Sequence, residues 1–402
     1  MNILYISYDG ATDPLGQSQI IPYLKFLSGE KFKFTLLTFD KKKFLGNNSL
    51  VSKIRKSLED SNINWNVLTY HKNPALLASS YDIVLGLLMG LRLVKKNNIS
   101  VVHARSYVAS LMAVFLKKTT GCKYIFDMRG FWPEEKVEGG GWKKGGILFS
   151  FFKFLEKIFI AHADSIVVLS YKAKAILEKY HKGGVQYITV IPTCTDLTLF
   201  KFKNLEPNPK INNIKRERFV LMYLGSIGTW YYLDEMINFF KIAKQQFDNA
   251  YFIFLISQKW GEVEQLMLSK GFRKEDFMIK NVYYDEVPDW LSIAEASVFF
   301  IKPVFSKLAS CPTKLGESLA CGIPVIINSG IGDTENIVKR NNVGVVVDSF
   351  SDISYRGKLE EFKKLLYNKN ELAQRCRLTA EKYFSLQSGA EQYARIYRSM
   401  KK

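Results

Sequence analysis

Short runs of β-branched and aromatic residues alternate with helical stretches along this chain, and they do so in two series. Strand patterns fall at residues 3–7, 34–39, 101–103, 124–126 and 166–169, with helices around 19–28 and 50–61 among them. A second series falls at 219–224, 251–256, 298–301, 325–327 and 343–347. Strands separated by helices pair in parallel through crossover connections, and helices then cover both faces of the sheet. Between the series, residues 200–218 carry Pro207, Pro209 and several Asn and Lys residues, the composition of a linker. A length of 402 residues supplies a core for each of two domains. The expected fold class is α/β, with two doubly wound Rossmann-like domains whose ligands bind beyond the carboxyl ends of the strands.

The segment Ser310-Cys311-Pro312-Thr313-Lys314-Leu315-Gly316-Glu317-Ser318-Leu319-Ala320-Cys321-Gly322-Ile323-Pro324-Val325 carries the most chemistry. Pro312 suits a helix start, Gly322 a left-handed cap at its end, and Pro324 bars continuation before the next strand. Such a helix offers free backbone N–H groups beside Thr313 and Lys314, which favour a phosphate, while Glu317 accepts hydrogen bonds from a diol. A helix that merely packs on a sheet, with Glu317 solvated, is the alternative.

This segment resembles the donor-site signature of family-4 glycosyltransferases (glycosyl transferases group 1), retaining enzymes of the GT-B fold found in bacterial surface-polysaccharide assembly. In that family a helix carries two glutamates separated by seven residues. Glu317 matches the second, which in relatives binds the donor ribose; Ala309 stands where the first would be. The resemblance implies the GT-B architecture, with the two domains facing each other across a cleft. It gives an acceptor-side domain at 1–204, a donor-binding domain at 205–385, and a helix at 386–402 crossing back to the first domain.

The same resemblance directs attention to other loops. Gly16, Gln17 and Ser18 follow the first strand, where relatives line the donor phosphates; an ordinary tight turn is the plainer reading of Gly16. Asp127 and Arg129, in Asp127-Met128-Arg129-Gly130-Phe131-Trp132, end a strand where many relatives have a histidine, and are expected at the reaction centre. A structural Asp–Arg pair holding the loop is the competing reading. His103 reads more readily as a core histidine. Gly225-Ser226-Ile227-Gly228 forms a phosphate-loop-like turn, too sparse in glycine for a dinucleotide fingerprint. Relatives follow it with an Arg and a Lys that neutralise the leaving diphosphate, whereas this chain has Thr229-Trp230-Tyr231-Tyr232. Lys302, Lys307 and Lys314 are candidates to supply that charge, against the reading of each as a solvated surface residue. Tyr283 or Tyr284 is positioned to stack on the nucleobase.

A formal charge of +19 favours anionic partners, phosphorylated ligands and anionic membrane surfaces among them. The basic residues are spread along the chain and no nucleic-acid motif occurs, so nucleic acid is not an expected partner. The five cysteines have no paired CxxC spacing, and the four histidines no ligand spacing, so neither disulfides nor a metal site is expected. The nucleotide sugar is a co-substrate, and no other cofactor is implied. The N-terminus runs straight into a strand pattern without the layout of a signal peptide, an expectation of cytoplasmic residence, with peripheral contact at the inner face of the membrane. No window of about 18 uncharged apolar residues is found. The closest approach, 147–160, suits a core helix or an interfacial one, and the turn and strand that follow favour the core.

Together these readings imply a metal-independent glycosyltransferase acting on a lipid-linked or saccharide acceptor in surface-glycan biosynthesis. Catalysis is expected from Asp127, Arg129 and Glu317. The donor is expected to be bound by Gly16, Gln17, Ser226, Tyr283, Lys302, Lys307, Thr313, Lys314 and Glu317. A GT-B sugar-nucleotide epimerase and a non-catalytic glycan scaffold are the alternatives.

Overall fold

A computed structural model describes residues 1–28, 32–180, 187–201, 211, 214 and 218–401, with the side chains of 75 and 76 outside that description. Most of the linker expected at 200–218 lies outside the described residues.

The chain divides into two compact units, Met1–Pro192 with Leu386–Lys402, and Thr193–Ser385. The first division thus falls after Pro192, before the expected boundary at 204.

The first unit is built on seven parallel strands: β1 (Asn2–Ser7), β2 (Lys33–Lys41), β3 (Asn64–Tyr70), β4 (Val101–Arg105), β5 (Lys123–Asp127), β6 (Ser165–Val168) and β7 (Ile188–Val190). Their order is β3-β2-β1-β4-β5-β6-β7. The chain runs outward from β1 to β3, returns across the sheet to β4, then runs the other way, so the winding reverses between β1 and β4. Adjacent connections diverge there, between the loops after β1 and β4. β1, β4 and β6 are buried along nearly their whole length because helices cover both faces of the sheet.

The return from β3 to β4 is helix Ala75–Lys96, which the sequence reading did not anticipate. Its segment Leu77–Lys96 has a mean hydropathy of 1.5, making it the one helix among the described residues long and apolar enough to cross a membrane by length and composition, and a third of it is buried. Helix Ser106–Thr120 packs against it on one side and against helix Ile147–His162 on the other. Right-handed crossovers put all three on one face of the sheet. Helix Leu386–Ser399 packs against helix Ile21–Ser28.

The second unit has six parallel strands: β8 (Phe219–Leu224), β9 (Ala250–Leu255), β10 (Phe277–Lys280), β11 (Ala296–Phe299), β12 (Val325–Asn328) and β13 (Gly344–Val347). The order is β10-β9-β8-β11-β12-β13, and the winding reverses between β8 and β11. Its core is dense in aromatics, among them Phe239, Phe240, Phe252 and Phe254. Helix Thr313–Ala320, between β11 and β12, packs on helix Lys369–Phe384.

Candidate functional site

In the second unit the loops after β8 and β11 meet. Backbone bonds from Tyr232 N–H to the Phe300 carbonyl and from Lys302 N–H to the Trp230 carbonyl, 3.0 and 2.9 Å, zip the two loops together. The buried Asn328 amide fixes the same corner, accepting from Ile301 N–H at 2.7 Å and donating to its carbonyl at 2.8 Å. Three consecutive aromatics are thereby set against three lysines. Lys307 Nζ lies 3.8 Å from the Trp230 ring centre, Lys314 Nζ 4.0 Å from Tyr231, and Lys302 Nζ 5.9 Å from Tyr232. Ammonium groups over ring faces are held by the ring quadrupole, which does not neutralise them. The positions where an Arg and a Lys were expected are therefore aromatic, and the cations come to them from the β11 side.

Helix Thr313–Ala320 starts at this corner with Thr313 as its first residue and Pro312 as its cap, so its first N–H groups take no side-chain acceptor. Lys314 is 6% exposed, and its Nζ has no hydrogen-bond partner. It also touches the Tyr223 ring at 4.2 Å. Gly225 follows β8 at φ +116°, and a β-carbon there would come within 3.0 Å of Lys314 Nζ. The positive φ favours glycine there, and a side chain would in addition press on the ammonium. One turn on, Glu317 is 4% exposed and accepts a 3.0 Å hydrogen bond from the Tyr284 hydroxyl. Burial pushes the Glu317 carboxyl up to about 7, against the pull of Tyr284 and Lys314. Burial likewise pulls the Lys314 ammonium down to about 7, with Glu317 opposing. An acid and an amine that are both reluctant to be charged fit a site that completes its solvation with a ligand.

The other donor candidates are less enclosed. Tyr283 is 81% exposed, and it is Tyr284, the second of the pair, that reaches Glu317. Ser226 is exposed, with its carbonyl accepting from the Tyr223 hydroxyl. Ala309 is buried.

In the first unit the loop after β1 is closed by acids. Thr12 donates through both N–H and hydroxyl to the Asp40 carboxylate, and Asp13 pairs with Lys41 at 3.0 Å. The Gln17 side chain donates to the Thr12 carbonyl at 3.1 Å, tying down the loop. A β-carbon on Gly16 would lie 2.1 Å from the Gly10 carbonyl oxygen, so only glycine allows this approach. Gly16→Ala is expected to destabilise the protein by about 2 kcal/mol through overpacking, read as a lowered urea midpoint. An unchanged midpoint would show that the loop is free to open.

At the end of β5, Asp127 is wholly buried. Tyr393 of helix Leu386–Ser399 donates to it at 3.1 Å, with His103 Nε2 at 3.5 Å, Arg129 Nη1 at 3.6 Å and Arg105 Nη1 at 4.0 Å. Burial works to raise its carboxyl, yet Arg129, His103 and Arg105 together hold it at about 2. His103 is held neutral chiefly by its own burial, and its Nδ1 lies 2.6 Å from the Tyr397 hydroxyl. Arg129 adopts φ +48°, a left-handed conformation that a non-glycine residue keeps only where its surroundings enforce it. The sequence pointed to Asp127 and Arg129 and left Arg105 ambiguous; it did not bring Tyr393 and Tyr397 here, because their partners Asp127 and His103 lie far along the chain. Among the described residues no three His, Cys, Asp or Glu side chains gather as a cation site.

Two parallel, doubly wound sheets define a pair of Rossmann-like domains, the composition of the GT-B fold. Solved structures share it along their whole length. A glycosyltransferase from Rickettsia africae ESF-5 matches with a TM-score of 0.73 at 17% identity, covering 100% of this chain and 98% of that one. Sucrose-phosphate synthase from Thermosynechococcus elongatus gives 0.75 at 13%, covering 100% and 99%. The Anabaena protein HepE, in complex with UDP and glucose, gives 0.71 at 13%, covering 99% and 100%. No curated protein matches by sequence. Residues 27–199 match the family Glycosyltransferase Family 4, and residues 205–383 match Glycosyl transferases group 1. The chain is a glycosyltransferase of the GT-B fold.

Proposed function

We propose that this enzyme moves a sugar from a nucleotide donor to a hydroxyl of a lipid-linked or saccharide acceptor in bacterial surface-glycan assembly, on the cytoplasmic side of an anionic membrane. The second unit holds the nucleotide. Glu317, steadied by Tyr284, accepts from the ribose diol, while Lys302, Lys307, Lys314 and the start of helix Thr313–Ala320 face the phosphates. As the bond from the anomeric carbon to phosphate oxygen breaks, this positive field stabilises the departing anion. The acceptor oxygen bonds to the same carbon with retention, and its proton passes to a departing phosphate oxygen. No metal or further cofactor takes part in this reading. Asp127 touches no substrate here; it positions Arg129 and Arg105.

The observation that carries the reading is the convergence of three lysines on one corner beside a buried, diol-competent carboxylate. HepE, whose structure holds UDP and glucose, supports a nucleotide-sugar donor. The test is thermal melting with UDP, GDP, ADP, CMP and their sugar conjugates, on wild type and Glu317→Ala. One base at about a hundred times its Kd should add about 2.7 kcal/mol, and that gain should vanish in the variant. No shift with any nucleotide, or isomerisation of the donor without an acceptor, would overturn the proposal.

A further inference from the structure

Helix Ala75–Lys96 presents Leu77, Tyr81, Val84 and Leu88 to solvent, at intervals of four, three and four residues that place them on one stripe. An apolar stripe on a surface helix normally faces the core. Here the core-facing side is a different one. Gly86 and Gly90 let the helix sit close on Met112 and Leu116 of helix Ser106–Thr120. The same arrangement recurs on helix Ile147–His162. Leu155, Phe159 and Ile160 are buried, whereas Ile147, Phe151 and Phe154, at intervals of four and three, are exposed by 90%, 51% and 59%. The core reading of 147–160 thus holds for one side of the helix only. Phe115, exposed on helix Ser106–Thr120, belongs to the helix packed between the two stripes.

The exposed charges within these three helices have one sign. The acids within the three helices are Asp82 and Glu156, and both are buried. Asp82 is bonded by the Tyr8 hydroxyl and the His71 ring, Glu156 by Tyr107 and Lys153. Exposed cations flank the stripes: Arg92, Lys95 and Lys96 at the end of one helix, Lys118 on the next, Lys143 and Lys144 just before the third.

We propose that the outer face of these three helices docks on an anionic lipid bilayer, the stripes entering the headgroup boundary and the cations meeting lipid phosphates. Pairing with a second copy through the same face would set like charges against each other, whereas an anionic surface complements them. Aromatic and aliphatic tips framed by Lys and Arg are the chemistry of interfacial helices. This deepens the proposed membrane-side acceptor site, and it rests on that reading only for its purpose.

The test is co-sedimentation of the full chain with vesicles of phosphatidylcholine alone and of phosphatidylcholine with phosphatidylglycerol. Binding to the anionic vesicles should be roughly ten-fold stronger and fall in raised salt. It should be lost in Leu88→Glu/Phe154→Glu and weakened in Lys143→Glu/Lys144→Glu, while melting temperature and nucleotide-induced stabilisation stay as in wild type. Equal binding to both vesicle types, or unaltered binding by both variants, would overturn the proposal. So would a wild-type dimer that Leu88→Glu/Phe154→Glu dissociates, since the face would then join two copies. Because nucleotide stabilisation is read separately, failure of docking is distinguishable from failure of the donor site.

Discussion

Lys314→Met is expected to melt higher than the wild-type protein and to lose its response to nucleotide. In the ligand-free protein the buried ammonium has aromatic rings for company and no hydrogen-bond acceptor, so folding strips its water without full replacement. Methionine keeps the length and removes the desolvation cost; a gain of about 2 kcal/mol is expected, in the range seen when buried charges give way to apolar side chains. The pH dependence gives a sharper reading. A lysine whose folded pKa lies near 7 and whose unfolded value is 10.5 binds fewer protons folded than unfolded between those values, so stability rises with pH across that window. Below 7 the destabilisation is fully present. The advantage of Lys314→Met should therefore be fully present at pH below 7 and shrink from pH 7 toward pH 10 in urea titrations. Glu317, raised from 4.5 to about 7, acts in the opposite sense, removing stability as pH climbs from 4.5 to 7 in both proteins. A variant that melts lower than wild type at pH 7 would show that Lys314 is satisfied where it stands.

Asp127→Ala is expected to cost about 3–5 kcal/mol, because it leaves Arg129 and Arg105 buried without their common anion. Asp127→Asn keeps the shape and the bond from Tyr393 but not the charge, and should recover only part of the loss. The carboxyl is depressed from 3.8 to about 2, so its stabilisation is present above 3.8 and is lost as pH falls toward 2. Urea midpoints for the wild type and both variants should thus converge at acid pH. A loss below about 1 kcal/mol for Asp127→Ala would mean that the two arginines find other partners or water.

What the sequence made legible followed from local pattern. Alternating strands and helices, and the proline and glycine around 312–324, gave the sheets and the helix that carries Lys314 and Glu317. Helix Ala75–Lys96 went unread because its apolar residues are near-continuous, without the alternation that marks an amphipathic helix, and Asp82 interrupts them. The three lysines were visible as residues, but their seating on Trp230, Tyr231 and Tyr232 depends on two loops that β8 and β11 bring together from distant positions. Tyr284 could not be told from Tyr283 by type; one turn of 3₁₀ helix sends one to Glu317 and leaves the other in solvent. The surroundings of Asp127 were least legible, since Tyr393 is separated from it by the whole second unit.

That separation bears on biogenesis. Helix Leu386–Ser399 belongs to the first unit, yet the ribosome makes it after all of the second. Until then Asp127 lacks the Tyr393 hydroxyl and His103 lacks that of Tyr397, two partners in a buried polar cluster. The second unit, continuous from Thr193 to Ser385, has no such wait. The usual order of co-translational folding, earlier domain first, is therefore inverted at its final step, and an emerging chain stopped before residue 386 would hold a finished second unit and an incomplete first one.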